Sequence, residues 1–210
     1  LLHQPFKIVG KDRRKGRIYE RTRLAQRFLV IYGVFSVAGF GIAWINAANS
    51  VWIVPLVCAA PFAVIQLMYE FRNDGRTLIS EVVGALVLAS SAPAILLAAD
   101  RAPLLAGLAW GALALRIIPS ILYVRARLRW THGKPVRRQI PIIVHTVAAG
   151  IAGILWVIGL ANAAILIAAG LLLARAIYGL YFSPPVAARV VGFQEMFFGI
   201  VYAAVCALAF

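Results

Sequence analysis

Seven unbroken apolar stretches decide what this chain can fold into, because each is close to the roughly 20 residues that a helix needs to cross about 30 Å of hydrocarbon. They run over Gln26–Ile45, Val51–Tyr69, Leu78–Ala99, Pro103–Val124, Ile140–Leu160, Asn162–Phe182 and Val190–Phe210. The apolar residues follow one another without the alternation of a barrel strand, so the spans are read as helices. With 63% hydrophobic residues and a mean hydropathy of +0.89, the 210-residue chain has too little polar surface for a water-soluble domain. The expected fold class is an all-α polytopic membrane protein. A seven-helix transmembrane domain fills 26–210, and a basic arm fills 1–25.

The formal charge of +14 at first suggests a nucleic acid or another acidic partner. Placement argues otherwise. Of the 21 Lys and Arg, all but Arg101, Arg116 and Arg175 fall at one end of the alternating spans. The positive-inside rule makes that end cytoplasmic and puts the carboxyl end of the chain outside, and nucleic acid is set aside. The arm has only Asp12 and Glu20 as acids, and it is expected to rest on anionic lipid headgroups at about 1 kcal/mol per Lys or Arg.

Punctuation along the chain is consistent with this layout. Trp44 and Trp52 flank the outer turn after the first span and are expected to form an interfacial belt. Pro55 and Pro61 predict kinks in the second span. Asn73, Asp74 and Gly75 signal a turn, and Asp100 with Arg101 a tight outer hairpin. Gly107 and Gly111 form a small-residue pattern suited to close helix approach. Arg125, Arg127 and Arg129 alternate, which no single helical face accommodates, so a headgroup-level segment anchored by Trp130 is expected there. Cys58 and Cys206 read as small buried thiols without a disulfide. The chain opens LLHQPF, without methionine, so Leu1 and Leu2 are expected to end an upstream segment.

Depth arithmetic at about 1.5 Å per residue collects the intramembrane polar groups into a layer. Glu81 lies about 5 Å from the cytoplasmic end, His145 and Glu195 about 8 Å, Arg175 about 10 Å and Arg116 about 12 Å. Charges at such depth face protein or a water-filled cavity and have partners. Three arrangements are open. Glu81 and Glu195 pair with Arg116 and Arg175 and lock the helices, the arginines snorkel to the interface, or the layer is a cavity that presents guanidinium groups to an anionic headgroup. Arg125, Arg127 and Arg129 are candidates for the same headgroup contact.

No catalytic residue or cofactor is indicated. His3, His132 and His145 are isolated from one another and from cysteine, so no metal site is expected. A two-histidine haem needs a second intramembrane histidine, and His145 reads as a hydrogen-bonded core residue. Nucleophilic catalysis lacks a readable base, and transport lacks matching broken helices in two halves.

At DRRKGRIYERTRLAQRF (12–28), SAPAILLAAD (91–100) and above all ILYVRARLR (121–129), the chain resembles the YwiC-like family of bacterial membrane proteins. The resemblance extends over nearly the whole chain. It implies the bacterial inner membrane, two further hydrophobic segments before Leu1 and about nine helices in all, so it speaks to topology more than to function. More remotely, that architecture is similar to the UbiA prenyltransferases, which hold Mg²⁺ and a polyprenyl diphosphate with aspartate-rich motifs. Here the corresponding loops hold one Asp or none, and Thr77 stands where Asn73-Asp74 would need a second aspartate. The function expected is a non-catalytic accessory or scaffold subunit, or a lipid or quinone binder, with membrane lipids and a larger membrane complex as partners. A divergent UbiA-like enzyme acting on isoprenoids is the alternative, and a small-molecule transporter comes third.

Overall fold

The computed structural model describes residues 3–14, 16, 19–72, 74–75 and 77–209. Lys15, Arg17, Asn73 and Arg76 of the basic loops lie outside the described residues, as do the side chains of His3, Lys7, Lys11 and Arg14. All regular structure among the described residues is helical. A short helix, α1 (His3–Arg14), precedes the first span, α2 (Glu20–Asn46). A 3-10 turn (Val51–Ile53) leads into α3 (Val54–Phe71), and α4 (Leu78–Ala89) with α5 (Ser91–Ala98) makes the third span. Then come α6 (Pro103–Thr131), α7 (Gln139–Val157), α8 (Ala163–Ile177) continued by a π-helical turn (Tyr178–Phe182), and α9 (Ala188–Ala209). Seven of these segments are long and apolar enough to cross a membrane, so the chain is an all-α multi-pass membrane protein.

Local chemistry sets the boundaries. Pro103 opens α6 in the first turn, where a missing N–H loses nothing. Gly133 and Gly159, at φ 67° and 74°, close α6 and α7. In each case the next residue donates to a carbonyl five positions back, Lys134 to Arg129 and Leu160 to Leu155, both at 2.9 Å. The third span breaks at Ser90. Pro93 cannot donate to the Ala89 carbonyl, and the Ser90 and Ser91 hydroxyls donate to the carbonyls of Val87 and Leu88 at 2.6 and 2.8 Å.

The 29-residue α6 is the central helix. It touches α4 and α5 from the second and third spans' group, and α7, α8 and α9 from the remaining three. Span 1 stands apart, with none of its apolar window buried. It is tied to the rest at its two ends, at the basic end through α1, whose Phe6 ring meets that of Phe71 of α3 at 6.0 Å between centres. Near the basic end, the buried Asp12 accepts from Arg21 at 2.9 and 3.2 Å and from the Thr22 hydroxyl at 2.7 Å, folding α1 against α2. At the other end Ala48 donates to the Ala98 carbonyl, and the Asn49 amide donates to Asp100, both at 3.0 Å.

Several sequence expectations need correction. The fourth span continues to Thr131, so Arg125, Arg127 and Arg129 are helical and do not form an irregular headgroup-level segment. No shared face is needed, because each points to a different environment. Trp52 is only 5% exposed; it packs beside Ala94 and Leu97 and against the rings of Phe40 and Trp44, so it is core and not belt. Cys58 is exposed and Cys206 half-buried; neither is the buried thiol expected. A Cβ at Gly107 or Gly111 would meet nothing, and the neighbouring Ala106 and Ala112 make the close contacts instead.

Candidate ligand-binding site

The face of α6 that meets α7, α8 and α9 carries Ala112, Arg116, Ser120, Tyr123 and Arg127. Their spacing of four, four, three and four residues keeps them on one stripe of a helix. On α9 the matching stripe is Val191, Glu195, Phe198 and Tyr202, at intervals of four, three and four. The Tyr202 hydroxyl ties the two stripes together by donating to the Ala112 carbonyl at 2.9 Å.

Between these stripes lies a polar cluster. Arg175 of α8 pairs with the Glu195 carboxylate, with side chains 8% and 16% exposed. Its guanidinium carbon stands 4.4 Å from the Tyr123 ring centre and 5.1 Å from that of Phe198, so aromatic faces flank the cation. Arg116 donates through Nη2 to the backbone carbonyl of Glu195 at 3.0 Å. Ser120 stands one turn along α6 from Arg116. His145 of α7 is 1% exposed, lies with its ring at 84° to that of Tyr123 and 6.4 Å between centres, and has Nδ1 at 2.7 Å from the Pro141 carbonyl. A carbonyl only accepts, so Nδ1 carries the proton.

Two glycines make these approaches possible. A Cβ on Gly199 would stand 2.6 Å from Arg116 Nη2, and one on Gly179 would collide with the Tyr123 hydroxyl. Gly179 lies in the π-helical turn, a form of backbone that recurs at functional positions.

The other predicted residues lie elsewhere. Glu81 pairs with Arg125 at 2.8 Å on the α4 side of α6, both about one-third exposed, and so it meets neither Arg116 nor Arg175. Arg127 is 1% exposed; it donates to the Ser183 carbonyl at 3.1 Å, the Ser183 hydroxyl at 2.8 Å and the Pro184 carbonyl at 2.6 Å, which makes it a clamp on the loop before α9. Arg129 is exposed. The structure thus brings together Arg116, Arg175 and Glu195, with His145 reaching them through Tyr123, and leaves Glu81, Arg125, Arg127 and Arg129 outside. Sequence reading missed Ser120, Tyr123, Phe198, Gly179 and Gly199, although the regular spacing on α6 and α9 carried the first three.

Polar atoms remain unmatched in the cluster. Arg116 Nε, Arg175 Nε and Nη2, and His145 Nε2 are all buried without a hydrogen-bond partner. Such groups are rare in folded proteins, and here each leaves hydrogen-bonding capacity unused. Two guanidinium groups face one carboxylate, so the cluster carries one uncompensated positive charge. Among the described residues, no three His, Cys, Asp or Glu side chains gather in a way that could hold a metal ion.

No curated protein and no solved structure matches this chain. A family model does, over a stretch that holds the arm and most of the first three spans and stops short of the ILYVRARLR segment. Residues 1–96, a little under half of the chain, match the model described as YwiC-like protein.

Proposed function

We propose that the protein is a non-catalytic membrane protein that holds the headgroup of an anionic amphiphile between α6, α8 and α9, with its basic end toward the cytoplasm of a bacterial inner membrane. The observation that carries this reading is the excess of buried guanidinium over carboxylate, with N–H groups of Arg116 and Arg175 left without partners. In a low-dielectric interior an unpaired cation is costly, and an oxyanion supplies both the missing charge and the missing acceptors. The sequence around the cluster supports it as well: between Asp100 and Glu195 there is no other acidic residue. The basic-end assignment rests on the positive-inside rule.

Native mass spectrometry of the protein in mild detergent tests the reading. R116Q and R175Q should fold and lose a co-purifying anionic lipid that the parent protein keeps. Unchanged lipid in both variants overturns it, and loss of the folded protein in both assigns the cluster to helix locking alone.

Membership of a larger membrane complex is the second reading, favoured by span 1, whose apolar window is wholly unburied. Blue-native electrophoresis that shows only a monomer sinks it.

A further inference from the structure

We propose that a cleft between α3 and α6 holds the hydrocarbon tail of a membrane lipid, in the half of the bundle away from the basic loops and separate from the Arg116, Arg175 and Glu195 cluster. The cleft has a volume of about 390 Å³ and is walled by α3, α4, α5 and α6.

Its origin is local. The third span breaks at Ser90, and Ser90 and Pro93 both line the cleft. Gly107 of α6 lines it as well, and a Cβ built there would meet nothing, so that wall stands open. Pro55, Leu97 and Pro103 mark the rim, in the first turn of α3, the last of α5 and the first of α6. Phe62 and Trp110 lie seven residues further along α3 and α6, about 10 Å deeper. Cys58, Phe62, Gly107 and Trp110 are exposed, so the cleft opens sideways toward the bilayer.

Room and polarity together select the ligand class. An apolar cavity of about 150 Å³ holds one benzene, which scales to roughly fifteen carbon atoms here. Left unfilled, a space of this size forfeits dispersion contacts along every wall. The polar groups on those walls are already engaged. The Ser90 hydroxyl donates to the Val87 carbonyl at 2.6 Å, and the Trp110 indole N–H donates to the Leu86 carbonyl at 3.3 Å. Both donors are spent on the third span, and the Cys58 thiol is only a weak one. A quinone ring or a headgroup carbonyl would therefore enter without a good donor to meet it, which is costly away from water. A hydrocarbon tail carries no such cost. Lipid tails are as apolar as the walls, so preference for the cleft over the surrounding bilayer comes from packing against its shape.

The test uses the full chain in nanodiscs of phosphatidylethanolamine, a small fraction of which carries a diazirine on one tail. Irradiation marks the residues that the tail touches, and mass spectrometry of peptides locates them. Phe35 of α2 serves as the reference for passing lipid: it is 72% exposed against 53% for Phe62, so casual contact alone would mark Phe35 more. Phe62 should instead be marked several-fold more than Phe35. G107L, whose side chain fills the cleft, should abolish that excess and raise the melting temperature of the delipidated protein. A59L, from the α3 wall, serves the same purpose should G107L fail to fold. Hexadecane and decylubiquinone, added as competitors, should lower the marking of Phe62 equally.

Marking of Phe62 no greater than that of Phe35, or unchanged in the filled variants, overturns the proposal. Stronger competition by decylubiquinone overturns it too, because a polar ring then occupies the site. An unmarked cleft in a dimer that G107L dissociates would give the space to a helix of a second copy, and would equally overturn it. None of these outcomes bears on the anion reading of the Arg116 and Arg175 cluster, which R116Q and R175Q test separately.

Discussion

Arg116 reaches across to α9 at a glycine, where no side chain obstructs it: its Nη2 lies 2.6 Å from where a Cβ on Gly199 would stand, and 3.0 Å from the carbonyl oxygen of Glu195. The glycine and the hydrogen bond form a single contact. G199A should push the guanidinium off the carbonyl and cost about 1.5 to 3 kcal/mol, the range for a hydrogen bond to a charged group. Thermal unfolding in detergent would register this as a fall of several degrees. In an R116A background the same substitution should cost almost nothing, and an equal loss in both backgrounds would show that Gly199 acts by some other contact.

Glu195 is the only carboxylate of the cluster. E195Q leaves two buried guanidinium groups without a counter-charge, and removing one member of a buried pair costs about 3 to 5 kcal/mol. Replacing both partners, as in R175M/E195L, should recover much of that loss, because buried ion pairs exchanged for well-packed apolar residues are often close to neutral. Unfolding of the three proteins in parallel checks this order. A double variant weaker than E195Q would mean that Arg175 serves more through Tyr123 and Phe198 than through its carboxylate.

Sequence alone delivered the spans, because hydrocarbon thickness leaves a chain little freedom: Val51, Leu78 and Pro103 are both the expected and the observed starts of their segments. It also left open, among three arrangements, that Glu195 pairs with Arg116 or Arg175; the structure selects Arg175. Glu81 was misassigned for a geometric reason. Depth fixes a position along the bundle normal and says nothing of azimuth, so Arg125, just past the expected end of α6, was overlooked as its partner. The early end given to that helix had a further consequence. The alternation of Arg125, Arg127 and Arg129 was weighed as if all three needed one surface, whereas α6 has spans on several sides and uses two of them. The glycines were the least legible, because Gly107 and Gly111 fit a packing motif and stand open, while Gly179 and Gly199 fit none and receive Tyr123 and Arg116.

Arg127 clamps the 183–184 loop through three acceptors that a planar, forked cation can meet together. Lysine keeps the charge and cannot reproduce the fork, so R127K should loosen the loop with little effect on the spans. The exposed Arg189, six residues beyond Ser183, is a natural reporter. Trypsin should cut after it several-fold faster in R127K than in the parent protein, while melting of the bundle stays within a few degrees. Equal cleavage rates would mean that Pro184 and Pro185 hold the loop without help.

The charge asymmetry predicts which end of the bundle a water-soluble reagent can reach. Lys134 lies in the exposed turn after α6, and Ala99 at the opposite end after α5, so the two sample the two faces of the membrane. With Cys58 and Cys206 replaced by serine, K134C should react with an impermeant maleimide only after cells are opened, and A99C in intact cells. Each Lys or Arg near a span end adds to the preference for the cytoplasmic side, and nearly all of the 21 lie at the Lys134 end. The reverse labelling pattern would require the chain to insert against that bias, and would move the Arg116, Arg175 and Glu195 cluster into the outer leaflet, where any amphiphile bound to it would have to be supplied from outside the cell.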